Sequence, residues 1–257
     1  MSADPAHIEY VTRLGDNALV LGQRLAEWCG HGPALEEDLA LTNISLDLIG
    51  QARLLLTHAG RLEGAGRDED ALAYFRDEPQ FRNWTLVELP NGSAAHDDYA
   101  VTIARNFLFS ALSVPLWEAL AGSNDAELAQ IAAKSVKEAR SHLRHARDWL
   151  VRFGDGTDES HRRAQAALDR LWPYTNEFWS ADDVERSAAQ AGFGVVVADL
   201  KPTWDAIVDA TLSQATLARP KESSFVSTGK LGVHSEFLGY LLAEMQTLAR
   251  QHPGAQW

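Results

Sequence analysis

Apolar residues recur at spacings of three and four along almost the whole chain of 257 residues, and no stretch shows clean two-residue alternation bounded by hairpin turns. Such a pattern packs helices on helices, so the fold class is all-α. The first predicted helix, about 5–29, carries Ile8, Val11, Leu14, Ala18, Leu21, Leu25 and Trp28 as one core stripe. Gly15, Ala18 and Gly22 add a run of small residues that permits close helix approach. The second helix, about 33–60, opens on Pro33, where a missing N–H is harmless, and Glu36, Glu37 and Asp38 complement the positive end of its dipole. A crossover follows, with short helical pieces near 70–76 and 79–88. The third helix, about 97–121, contains Pro115, which is expected to kink its last turns. The fourth, about 124–153, begins with Asn124 as N-cap and Glu127 three positions on. Further helices are read at about 158–179, kinked at Pro173, at 180–191 behind a Ser180 cap, at 202–217 and at 235–251. The last is amphipathic through Phe237, Leu238, Leu241, Leu242, Met245 and Leu248. One domain, 1–257, is expected.

Thirty-six acids against 23 Lys and Arg give a formal net charge of -13, which repels phosphates and argues against nucleic-acid partners. No apolar run approaches the ~20 residues of a membrane helix, and the N-terminus is too polar for a signal core, so a cytoplasmic protein without membrane contact is expected. The single cysteine, Cys29, excludes an intramolecular disulfide. Phosphate-binding glycine loops, dinucleotide fingerprints and nucleophile triads are absent from the sequence. His31, His58 and His234 read as capping or exposed residues.

Two helical hairpins joined by a long crossover are the arrangement of a ferritin-like four-helix bundle, here with additional C-terminal helices. In the di-metal carboxylate members of that class two helices each give a Glu and two others each give Glu-x-x-His, because residues three apart on one face reach a single ion. No Glu-x-x-His occurs in the first five helices of this chain. The second helix offers Asp47-Leu48-Ile49-Gly50, and the fourth offers Glu138-Ala139-Arg140-Ser141, with His142 four residues on and His145 beyond it. Folding each hairpin about its turn sets Asp47 opposite Asp16 or Asn17, and Glu138 opposite Arg105 and Asn106. The expectation is therefore a degenerate di-metal cavity filled by a polar network of Asp16, Asp47, Arg105 and Glu138, with His142 as fallback ligand. No catalytic, cofactor-binding or metal-binding residue is assigned. The alternative is that each acid faces solvent or a neighbouring subunit.

Four segments carry a likeness to a known family: LGDNALVLGQRLAEWCGHGPALEEDLALTNISLDLIGQAR, RDEPQFRNWTLVELPNG, KEARSHLRHARDWLVRFGDGTDES and GVHSEFLGYLLAEMQTLARQHPGAQW. They resemble the C-subunit family of the bacterial phenylacetyl-CoA epoxidase over nearly the whole chain. The resemblance implies a ferritin-like structural subunit of a multicomponent monooxygenase in aerobic phenylacetate degradation, which inserts one oxygen atom of O2 into the ring of phenylacetyl-CoA. It also implies that the di-iron centre and substrate site belong to a homologous catalytic A subunit, and that electrons come from an NADPH-dependent flavin and iron–sulfur reductase. No cofactor is expected in this chain. Its partners would be the A subunit and the other subunits of the complex, with a homodimer when alone. Two other function classes stay open: a working di-metal oxygenase or oxidase with an unusual ligand set, and a stand-alone helical scaffold forming homo-oligomers.

Overall fold

The computed structural model describes residues 3–93 and 96–255; the rest of the expected 1–257 span, residues 1, 2, 94, 95, 256 and 257, lies outside them. In chain order the helices are α1 (Pro5–Ala26), α2 (Leu35–Glu63), α3 (Glu69–Tyr74), α4 (Thr85–Glu88), α5 (Tyr99–Leu120), α6 (Ala126–Gly154), α7 (Asp158–Leu171), α8 (Asp183–Ala191), α9 (Lys201–Gln214) and α10 (Glu236–Gln251). Short 3-10 turns lie between them, among them Glu78–Gln80 and Trp172–Trp179. Among the described residues there is no β-strand, only two isolated bridges. The span read as one domain resolves into two compact units, residues 1–89 with 228–257, and residues 90–227. Each unit is built on one long antiparallel hairpin, and the chain is all-α with the ferritin-like order of hairpin, crossover, hairpin.

In the first unit α1 and α2 approach closely through small residues. A Cβ on Gly15 would lie 2.8 Å from Leu56 Cδ2, and one on Gly22 would lie 3.1 Å from Ile49 and 3.3 Å from the Ser45 carbonyl. Ser45 Oγ fixes the same level by donating to the Gly22 carbonyl at 2.7 Å. These contacts set Gly22 against residues 45–49 and Gly15 against 55–56, so Asp47 lies about two turns, ~10 Å, from the level of Asp16. The two acids do not share the level expected of them. The reason is the connection. The first helix stops at Ala26, and the following residues run back along the first turns of α2, where Asp38 Oδ2 accepts from the amides of Gly30 (2.9 Å) and Gly32 (3.0 Å).

The second unit repeats this overshoot. Arg140 pairs with Glu118 at 2.6 Å, and Tyr99 sits edge-on to Trp149 and Phe153 at 5.6 and 6.0 Å. That register leaves Glu138 about three turns from the level of Arg105. In both hairpins the second helix has 29 residues and the first 22, and the surplus turns extend beyond the partner. The start of α6 is anchored sideways instead: Ser123 Oγ donates to the Phe193 carbonyl at 2.7 Å and the Asn124 amide to the Gly192 carbonyl at 2.9 Å. The cap is consequently Asp125, accepting from the amides of Glu127 and Leu128, and not Asn124.

The α5 helix runs through Pro115 to Leu120, close to the span expected. Two further local expectations shift: α7 ends at Leu171 with Pro173 opening a 3-10 segment, and Asp182 rather than Ser180 caps α8. By length and composition α2 and α5 each hold a window apolar enough to span a membrane, contrary to the sequence reading. The α5 window is wholly buried inside the protein, as befits a core helix that is apolar all round.

Candidate functional site

The first helix is buried on more than its apolar stripe. Arg13, Asp16, Asn17 and Arg24 share one face at helical spacing, and none is more than 7% exposed. Buried polar groups of this kind require partners; Arg13 pairs with Glu9 on α1 itself, and the crossover and α10 supply partners for the other three. Asn17 Oδ1 accepts from the Trp84 amide at 2.7 Å while its Nδ2 donates to the Arg13 carbonyl at 2.9 Å. Arg24 donates through Nε to the Glu88 carbonyl and through Nη2 to the Phe237 carbonyl, both at 2.9 Å, and pairs with Glu27.

Asp16 is the centre of this seam. Fully enclosed, it takes both guanidinium nitrogens of Arg76, Nη1 at 3.0 Å and Nη2 on the other oxygen, and the Arg82 amide at 2.8 Å. Arg76, 4% exposed, is itself held by the carbonyls of Leu72 and Gln80 and lies 4.2 Å over the Phe81 ring. A two-point guanidinium–carboxylate pair of this kind fixes direction as well as charge.

A second buried pair ties the C-terminal segment to α4. Glu88 is wholly enclosed and accepts from Asn83 Nδ2 (2.8 Å), the Ser235 amide (2.6 Å) and His234 Nδ1 (2.8 Å). The other ring nitrogen of His234 faces the Phe81 carbonyl at 3.0 Å. Burial opposes a charge on this ring, but hydrogen bonding to Glu88, its charge, the Phe81 carbonyl and the charge of Glu78 together raise the His234 pKa above the usual 6.5.

The residues singled out from sequence fall as follows. Asp16 is bound by Arg76, a residue the sequence reading did not name, where Arg105 was the expected cation. Asp47 is half-buried on α2. Arg105 is fully buried on α5, its Nη2 2.5 Å from Asn91 Oδ1, which also accepts from Thr102 at 3.1 Å. Glu138 is half-buried on α6 with Lys134 Nζ at 3.6 Å, and His142 is buried one turn on. His58, read as a capping or exposed residue, is buried, with the His7 ring 6.2 Å away.

This donor set does not fit a di-metal centre. The α1 carboxylate is already neutralised by a guanidinium, Asp47 and Glu138 lack an imidazole three residues on, and within either unit no three His, Cys, Asp or Glu side chains among the described residues converge on one point.

Helix order and the arginine-bound acid on α1 together define a ferritin-like chain whose own helices lack the di-metal donor pattern. The family model described as "Phenylacetic acid catabolic protein" matches residues 1–257, and the chain belongs to that family. Among curated proteins, the C subunit of the 1,2-phenylacetyl-CoA epoxidase of Escherichia coli (strain K12) is 50% identical over 248 residues, 96% of this chain and 98% of that relative.

Proposed function

We propose that this chain is a non-catalytic structural subunit of a phenylacetyl-CoA ring epoxidase in aerobic phenylacetate breakdown, working in the cytoplasm beside a homologous di-iron subunit that it holds in place. The oxygen chemistry belongs to that partner, with electrons from an NADPH-dependent flavin and iron–sulfur reductase. The observation that carries the reading is the Asp16–Arg76 pair, which occupies the first-helix carboxylate with a fixed cation in a chain half identical to an epoxidase C subunit. Assembly is supported by the outer face of α2, where Leu35, Leu39 and Leu46, spaced four and seven apart, are 73, 55 and 60% exposed. The chain's own contribution is rigidity: the buried seam fixes the crossover and α10 against α1.

The competing reading is a di-metal enzyme that uses Asp16, Asp47, Glu138 and His142. Reconstitution with the metal-bearing subunit and reductase separates the two. Glu138→Gln in this chain should leave turnover per assembled complex unchanged, since the change removes a charge and no ligand. An assembled Glu138→Gln complex that is inactive while its partner keeps full iron would contradict the structural role.

A further inference from the structure

We propose that His234 is a pH-dependent bolt that fastens the C-terminal segment, residues 228–251, to the crossover when protonated and releases it when neutral. The geometry fixes the protonation state. The side chains of His234 and Glu88 are both fully enclosed, and the two ring nitrogens face a carboxylate oxygen at 2.8 Å and a carbonyl oxygen at 3.0 Å. Both neighbours only accept. A neutral imidazole carries one N–H, so one of the two contacts would set lone pair against lone pair; the imidazolium satisfies both.

Loss of the proton also strips Glu88 of its nearest cation. The carboxylate would keep Asn83 Nδ2 and the Ser235 amide, both neutral, at a site closed to water. Among the described residues, the elements packed here also carry the charged groups Glu78, Arg24 and Arg82. Glu78, beside Gly239 of α10, favours the proton. Arg24 is bound to the Glu88 and Phe237 carbonyls and to the Glu27 carboxylate, and Arg82 lies against Gly232 and the Pro79 and Phe81 carbonyls with Glu9 at 3.8 Å, so both guanidinium groups are occupied by other oxygens.

The segment that the bolt holds is otherwise strapped on by contacts that do not titrate near neutral pH, among them the Arg250–Asp77 pair and Arg24 on the Phe237 carbonyl. The Gly229 amide donates to Thr85 Oγ1 at 3.2 Å, in a place so close that a Cβ would lie 2.5 Å from the Asn83 carbonyl. Gln246 Nε2 reaches the Ala73 and Arg76 carbonyls at 3.0 Å each. A folded-state pKa above 6.5 means that the stabilisation is complete below that value and is lost as pH rises through the folded pKa. Alkaline pH therefore loosens residues 228–251 ahead of the rest.

Hydrogen exchange on the full chain between about pH 6 and 9.5, corrected for the intrinsic pH dependence of exchange, tests this. Protection of residues 228–251 should fall by about ten-fold per unit by which the folded pKa exceeds 6.5, while α5 and α6 stay protected. His234→Gln should show lower protection of the segment than wild type at acid pH, and no pH step. If that variant does not fold, the ring resonances of His234 in the wild-type protein decide: a titration midpoint above 6.5 supports the bolt. Segment protection that does not change with pH, a pH step that survives in His234→Gln, or a midpoint at or below 6.5 would overturn it.

Discussion

Replacing Arg76 with methionine should lower the unfolding free energy by about 3–5 kcal/mol, because it leaves Asp16 buried without its cation. Methionine keeps much of the apolar stem against Phe81, so lost packing is the smaller part of the change. The Arg82 amide would still donate to the Asp16 carboxylate, but an amide carries no charge to balance it. The size of the effect follows from burial: a guanidinium 4% exposed and a carboxylate at 0% cannot recruit water when one is removed. Adding Asp16→Asn to the same chain removes the stranded charge and should restore part of the loss. Arg140→Ala, which breaks the exposed pair with Glu118, should cost at most about 1 kcal/mol. Urea denaturation of the three variants gives the comparison, and equal midpoints for Arg76→Met and Arg140→Ala would show that the seam is not a stabilising pair.

Ending the chain before Ser235 should give insoluble or misassembled protein. Leu238, Leu241 and Leu242 are 0, 4 and 4% exposed, and burial of each such side chain is worth about 1.5–3 kcal/mol. The truncation also takes away the two Gln246 bonds to the crossover and Phe237, whose carbonyl receives Arg24. The buried face is narrower than its sequence suggests. Leu248 is 54% exposed, and Phe237 and Met245 are only half-buried. Three leucines and a set of directed hydrogen bonds thus do the work expected of six apolar residues. Expression of the shortened chain, followed by gel filtration and thermal denaturation, settles the point; a soluble product with the wild-type midpoint would show α10 to be dispensable.

What was legible in the sequence was periodicity. The four long helices and the last one lie within a few residues of the spans read from apolar spacing, because 16 to 29 residues of consistent pattern average over local exceptions. Register was not legible. It depends on where the connecting residues run, and both hairpins spend their surplus turns beyond the partner helix, which moved Asp47 about two and Glu138 about three turns from the positions assigned to them. The seam was hidden for another reason. Arg13, Asp16, Asn17 and Arg24 fall on one face of α1, a pattern identical to that of a solvated face, and the crossover and α10 partners of Asp16, Asn17 and Arg24 lie 60 to 213 residues away in the chain. Arg76 and His234 gave no local signal at all. The absence of Glu-x-x-His, by contrast, needed no structure to be seen.

A structural subunit carries no di-metal centre of its own, and metal content measures that directly. Protein expressed alone in iron-rich medium and quantified by plasma mass spectrometry should hold far less than one iron per chain, because Asp16 is committed to Arg76 and no helix provides a Glu-x-x-His pair. Near-stoichiometric iron, lost on substitution of Glu138 or His142, would contradict the structural role.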